Sequence, residues 1–516
     1  MSTKKLPEIR EYQGYKTFFV DEKPFVVLGG EIHNSSASSE GYMESEVWPN
    51  LRNMGMNSVI VPVYWECIEP KESEFDFTTI DFLLEQSRQE NMKLILLWFG
   101  LWKNAESMYV PGWMKRNKET YFVCKKANGD GMTTISPFCQ AAVERDKNAF
   151  CKLMEYLKEK DAEQQTVIMI QVENEIGLLG SERDYSQEAQ KLFAEQIPAK
   201  VAEVFGGTGS WQEVFGEDAG EHFMAWGFAK AVEEIARAGQ EIYPLPMYAN
   251  AWLEQYPWRA GTYPSGGPIM KMAKMWKMIA PSLFTLAPDI YVPTVPDIME
   301  EYAREDNPLF IPEVRKDAVA ATYAMYAAFG CHGIGFCPFG IEELQMDPEK
   351  VDRIPMEVLV ALNIDPSAFE IEGSAAYLRR SYELIDQLLP LYYELREKKA
   401  VQAYVRKDPR DLGALLSFDN YDVQIKYGRK ESHKPEAGGV ILQTGADEFI
   451  LAGMVSSMEF LGKLGSNEKV EIVRLEEGEF VDGKWKSGRI LNGDEKMHLA
   501  FKDMPGIYRV ELVRYK

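Results

Sequence analysis

Two apolar runs in this sequence stop on carboxylates. One ends Gln171-Val172-Glu173-Asn174-Glu175-Ile176-Gly177, the other Ile311-Pro312-Glu313-Val314-Arg315. A pair of acidic side chains facing each other across a pocket is the equipment for cleaving a glycosidic bond. One protonates the leaving oxygen, while the other attacks or supports an oxocarbenium-like centre. The acid must start protonated, so it needs a pKa raised by burial and by a neighbouring anion. In the first run two residues compete, because strand alternation turns 171, 173 and 175 to one face. For Asn174 and Glu175 to share a pocket, the strand end must bulge or turn. Glu313 has a plainer alternative, as an ion-pair partner of Arg315 or Lys316.

These positions make sense only if strands deliver them to one rim. Candidate strands occupy 25–33, 57–65, 93–100, 166–175, 245–252, 289–295, 309–314 and 333–340. Their middles are continuously apolar, the mark of strands covered on both faces. Helical patterns alternate with them, for example Thr78–Asn91, Ala142–Asp161, Phe228–Gln240 and Asp317–Gly330. Eight strand–helix alternations predict a (β/α)8 barrel, an α/β fold whose active sites lie at the C-terminal ends of the strands. The long intervals 101–165 and 176–244 then enlarge the catalytic rim. The barrel is expected over 1–365, with a helical connector over 366–400 that is bent or broken at Pro390. Beyond it, short alternating runs cut by Gly, Asn and Asp predict a β-sandwich-like domain over 401–516.

Other residues near strand ends could bind a ligand, each beside a plainer reading. Glu69 is either a hydroxyl ligand or part of the Glu69-Pro70 turn, and His33 is either a ligand or a satisfied core histidine. Trp65, Trp98, Trp102 and Trp252 end or follow strands; one or two could stack on a sugar, and the others would pack. Asn104 follows the third strand, and Trp113 reads as a loop anchor. The glycine-rich stretches 206–210 and 265–267 lack a phosphate-loop context and read as turns. The lysines of 271–278 read as a solvated helix face. Only five histidines occur in the chain, which argues against a metal-dependent barrel hydrolase and for a site without metal or other cofactor.

Composition narrows the partners. With 57 basic against 80 acidic residues the formal charge is −23, a surface that repels nucleic acid and anionic membranes. A neutral small molecule fits better, and 26 Phe, 25 Tyr and 11 Trp include rings suited to sugar faces. No apolar run approaches the ~18–20 residues of a membrane span. The first twenty residues show no apolar signal core. Cys67, Cys124, Cys139, Cys151, Cys331 and Cys337 form no CxxC pair, so the expectation is a reduced, cytoplasmic protein. Association into homo-oligomers stays open.

The motifs together resemble a known group. Gln171–Gly177 is similar to the acid/base motif of the retaining (β/α)8 glycosidase clan, whose hallmark is Asn-Glu closing strand four. Leu28–Asn34 resembles the strand-one Gly-x-Ile-His segment of the family 35 β-galactosidases. Val63–Asp81 resembles the clan's strand-two run of aromatic-Trp, Glu-Pro and Phe-Asp-Phe. Pro312-Glu313-Val314 fits a strand-seven nucleophile. The resemblance, to glycoside hydrolase families 35 and 42 or a separate related family, covers residues ~20–340, judged from motif order alone. It departs at Asn34-Ser35-Ser36, where family 35 has aromatic-Pro-Arg, and at Gly100-Leu101-Trp102-Lys103-Asn104, where family 35 has Ala-Glu-Trp.

What the resemblance implies is a retaining exo-glycosidase acting on terminal β-D-galactosides. Glu175 would be its acid/base, Glu313 its nucleophile, Asn174 its partner for the sugar 2-hydroxyl, and Tyr291 a support for Glu313. The alternatives are the same chemistry on a β-glucoside or β-mannoside, and a carbohydrate-binding barrel without catalysis.

Overall fold

The computed structural model describes residues 5–347, 349–351, 354–362 and 364–516. Eight parallel strands form its centre: β1 (Val27–Leu28), β2 (Ser58–Tyr64), β3 (Lys93–Lys103), β4 (Val167–Asn174), β5 (Met247–Trp252), β6 (Leu283–Ile290), β7 (Phe310–Val314) and β8 (Gly335–Pro338). Each pairs with its neighbours in sequence, and β8 returns to β1. Between β1 and β2 the ring is closed by Ile32 N–H donating to Ile60 O (3.2 Å) and Ile60 N–H to Gly30 O (2.9 Å). Every residue of β2 and β4 is buried. Side chains fill the barrel inside and helices cover it outside, which explains the unbroken apolar runs.

The covering helices are α1 (Thr78–Gln89), α2 (Gln140–Asp161), α3 (Ala219–Ile242), α4 (Ala273–Ile279), α5 (Val295–Tyr302) and α6 (Ala320–Phe329). The chain therefore has a (β/α)8 barrel followed by an all-β region. One strand expectation fails. The sixth strand is Leu283–Ile290, not 289–295. It carries Pro288, which offers no N–H to a sheet and makes Leu-Phe-Thr-Leu-Ala-Pro-Asp-Ile read as a poor strand. The error matters, because it moved Asp289 from the catalytic end of a strand to its start.

After β8 the chain crosses back over the strand ends. Arg315 holds this segment, donating to Asp365 Oδ2 (2.8 Å) and Ser367 Oγ (2.7 Å). Helix α7 (Ser374–Leu395) then runs unbroken through Pro390. Of the bend or break expected there, the break is absent. Its buried face of Leu378, Tyr382, Ile385, Leu388 and Tyr392 offsets the one intrahelical hydrogen bond that proline removes. The Tyr382 hydroxyl reaches the carbonyls of Gly29 (2.8 Å) and Phe336 (2.9 Å), so α7 is pinned to the barrel wall. Arg396, just beyond α7, donates to Tyr12 O and Thr17 Oγ1 of an N-terminal hairpin (Glu8–Tyr12 and Tyr15–Val20). Its guanidinium also lies 4.8–5.6 Å from the rings of Tyr12, Tyr15, Tyr392 and Tyr393.

From Val401 onward two antiparallel sheets stack. The larger has six strands, the smaller four. Alternation along the larger sheet sends Phe449, Leu451 and Val510 into a core shared with Tyr421 and Phe460 of the smaller sheet. Its other face, with Val440, Leu442 and Ala452, joins the barrel's own hydrophobic core. At that junction Thr322 of α6 donates to Glu436 O (2.7 Å). All six cysteines are free. Among the described residues no helix is long and apolar enough to cross a membrane.

Candidate active site

The C-terminal strand ends surround a cavity of about 220 Å³. Its polar lining includes Asn34, Lys103, Asn104, Glu175, Asp289 and Glu313, with Glu254, Gln255 and Tyr291 further round. Oxygens of Glu175, Asp289 and Glu313 lie within 4.8 Å of one another.

The end of β4 is built to separate its two glutamates. Glu173 and Glu175 both adopt left-handed backbone, with φ of 63° and 46°. Such angles are uncommon for non-glycine residues and break the simple two-residue alternation. Glu173 turns away from the cavity. Its carboxylate accepts from the backbone N–H groups of Leu101 (3.1 Å) and Trp102 (2.6 Å), beside Asp146. Gly100 makes this seat possible: a Cβ there would lie 2.6 Å from Glu173 Oε1 and 2.5 Å from Asp146 Oδ2. Glu175, two residues on, lines the cavity. Its N–H donates to Asn250 Oδ1 (2.8 Å), and Asn250 Nδ2 donates to Asp289 Oδ2 (2.6 Å).

Electrostatics follow from packing several acids into one buried space. Burial first, then the Glu313 charge, push Glu175 up to about 7, while Lys103 pulls the other way. Asp289 is held well above its ordinary value by burial, then by Glu313 and Glu175. Glu31, at the barrel closure beneath these groups, is raised by burial and by Glu313. Like charges this close are not all ionised together near neutral pH. The Tyr291 hydroxyl donates to Glu313 Oε1 (2.6 Å). An oxygen from each of the three cavity acids could also reach one hard cation, but Lys103 already places a positive charge against them.

Several buried polar atoms here lack a partner among the described residues: Glu313 Oε2, Asp289 Oδ1, Asn174 Nδ2, Asn34 Oδ1 and Asn104 Oδ1. Buried polar groups are nearly always paired. A concentration of unpaired ones around a cavity marks where a polyhydroxylated ligand would satisfy them. Asn174 itself is oriented by Lys103 Nζ, which donates to its Oδ1 (2.9 Å).

The cavity gathers Glu175, Glu313, Asn104, Trp252 and Tyr291, with Asn174 just behind. Other expected residues lie elsewhere. Trp65 is fully buried and donates to Glu69 Oε2 (2.9 Å); Glu69 Oε1 accepts from Ser73 N–H (2.7 Å). Trp102 is fully buried, donates to Ile135 O (3.0 Å) and packs edge-on against Phe228. Trp98 donates to Asp146. Trp113 donates to Glu69 O. His33 sits beside the cavity, paired with Glu343 (2.7 Å). Lys103, Asn250 and Asp289 are the members the sequence reading passed over. The extension of β3 to Lys103 and the true span of β6 would have exposed two of them.

Over residues 17–244 the chain matches glycosyl hydrolases family 35, and over residues 378–501 a domain of unknown function, DUF5597. No curated protein matches its sequence. Solved structures with a similar fold include a β-galactosidase from Bacillus circulans sp. alkalophilus, at 10% identity and TM-score 0.50, covering 94% of this chain and 99% of that one. A β-galactosidase from the psychrophilic Marinomonas ef1 aligns at 13% identity and TM-score 0.39, over 56% of this chain. The chain spans 48% of that enzyme's length. The exo-β-1,4-mannosidase Op5Man5 from Opitutaceae bacterium strain TAV5 aligns at 12% identity and TM-score 0.41, covering 73% and 63% of the two chains. A (β/α)8 barrel with acids gathered at its strand ends, joined to that family match, defines a glycoside hydrolase. Within that class the chain resembles family 35.

Proposed function

We propose that the chain is a retaining exo-β-glycosidase, with a terminal β-D-galactoside as its substrate, Glu175 as acid/base and Glu313 as nucleophile. The observation that carries this reading is the approach of Glu175 and Glu313 oxygens to within 4.8 Å across one cavity. Inverting enzymes keep their carboxyl groups ~6.5–9.5 Å apart to admit a water, whereas retaining enzymes use ~5–5.5 Å.

In the first displacement a Glu313 oxygen bonds to the anomeric carbon as the carbon–aglycone bond breaks. The Glu175 proton passes to the departing oxygen, and a glycosyl ester on Glu313 remains. In the second, Glu175, now a carboxylate, takes a proton from water as that water attacks the anomeric carbon. The ester breaks, Glu313 leaves as carboxylate, and Glu175 is protonated again. Tyr291 stabilises the carboxylate form of Glu313 through its short hydrogen bond. The unpaired Nδ2 of Asn174 is oriented for the sugar 2-hydroxyl, an interaction that tightens in the transition state. Galactose rests on the likeness to family 35.

Proton NMR of the first product formed from a β-galactoside tests the reading. Two displacements release β-galactose before mutarotation, and initial α-galactose would refute the double displacement. Release of β-glucose or β-mannose, with galactosides untouched, would keep the chemistry and change the sugar. In Glu313→Gly, azide should restore turnover of an activated glycoside as the inverted glycosyl azide.

A further inference from the structure

The cavity has two unlike halves. The polar half carries the three acids, Lys103 and the asparagines. The other is walled by Leu253, Val292, Ile354, Leu362, Ile364 and Phe369, beside Trp252, with Glu254 and Gln255 its polar members. This wall is made by the chain leaving β5 and β6 and by the segment after β8; β5 lies beside β4, whose end carries Glu175, the group that must meet a leaving group.

The wall is fixed in place. Phe369 stacks on Tyr291, ring centroids 5.4 Å apart at 24°, and the same Tyr291 donates to Glu313. Asp365 N–H donates to Tyr291 O (3.1 Å), and Gln255 Nε2 to Leu362 O (3.2 Å). Arg315 grips Asp365 and Ser367 from below. Aliphatic side chains are thus held against water at the mouth of a catalytic cavity, with Ile354 still 41% exposed. A second sugar placed there would lose water from several hydroxyls and find only Glu254 and Gln255 to replace it, the latter with its amide N–H already given to Leu362 O. An apolar group would cover the wall and gain from doing so.

We propose that this half of the cavity is a subsite for an apolar aglycone, an aryl or medium-chain alkyl group joined β to the sugar, and not for a second sugar. The proposal rests on the glycosidase reading above. It makes the enzyme one that releases a sugar from a small amphiphilic glycoside.

The test uses the wild-type protein and β-glycosides of one sugar carrying methyl, butyl or hexyl groups, with the matching 1,4-linked disaccharide. The expected result is a kcat/KM that climbs about fourfold for each added methylene until the wall is covered, the equivalent of ~0.8 kcal/mol per buried CH2. The disaccharide should do no better than the methyl glycoside. In Ile364→Asn the climb should flatten. A flat alkyl series, or a disaccharide turned over tenfold better than the hexyl glycoside, overturns the subsite.

The same panel run on Glu313→Gln separates the two ideas. If the wild type cleaves the panel and Glu313→Gln does not, the catalytic reading stands whichever way the series falls. If the wild type cleaves none of it, that reading falls. Calorimetric binding of hexyl against methyl glycoside then decides the subsite: tighter hexyl binding supports it and equal binding overturns it.

Discussion

Buried charge is handled in opposite ways at the catalytic rim and at the junction between barrel and β-sheets. At the junction, Arg406 donates to Glu436 Oε1 (2.8 Å) and to Gly428 O, and Lys430 approaches Glu436 from the other side (3.4 Å). Each charge meets its opposite. At the rim, Glu31, Glu175, Asp289 and Glu313 share a buried space with Lys103, and several of their oxygens have no partner. The junction spends most of its polar groups, Arg406 Nε excepted, on holding two units together, while the rim keeps several of them unspent. A group left unsatisfied inside a protein is a cost, and here it falls where a ligand can remove it.

The sharpest way to break this contrast is at the end of β4. Glu175→Ala should slow substrates with poor leaving groups by about 10²–10⁴-fold and activated aryl glycosides far less. Glu173→Ala should show no such dependence on the leaving group, and should instead lower the melting temperature. The reverse pattern in steady-state kinetics would exchange their roles. At the junction the expectation runs the other way. Arg406→Ala leaves Glu436 only the more exposed Lys430 as a cation and should cost about 1.5–3 kcal/mol of stability in denaturant unfolding. Any enzyme that stays folded should keep its kcat. A paired replacement, Arg406→Met with Glu436→Leu, should recover much of the loss.

Smaller effects refine the picture. Tyr291→Phe removes a hydrogen bond to a charged group worth about 1.5–3 kcal/mol, so kcat/KM should fall about 10–100-fold with the fold intact. For pH, the sign follows from Glu175 having to enter the reaction protonated. With burial raising it to about 7, activity should be held below that value and be lost as pH rises through it. Lys103 pulls Glu175 downward, so Lys103→Met should move this alkaline limb to higher pH. A limb that stays put or moves lower would take Lys103 out of the cluster.

Much of this was legible before any coordinates. Seven of the eight barrel strands announce themselves because burial on both faces demands unbroken apolar runs. The eighth hid behind Pro288, and Asp289 was hidden with it. The choice between Glu173 and Glu175 could not be read from alternation, because two left-handed residues at the strand end set aside the rule that alternation relies on. Resemblance favoured Glu175, and the structure places that residue on the cavity. Tryptophans at strand ends misled for a related reason. Trp65 and Trp102 close their strands, yet both donate to groups outside the cavity. Position on an element says which rim a residue reaches, and only packing says which way it looks.

Arg396 and its four tyrosines bear on the order in which the molecule can be completed. The N-terminal hairpin leaves a ribosome well before α7, since the guanidinium that clasps it follows 384 residues behind Tyr12. Until α7 has been made, Tyr12, Tyr15 and Thr17 lack the side chain that satisfies them. The clasp on the hairpin and the pinning of the barrel wall by Tyr382 thus arrive together, on one helix and its immediate continuation.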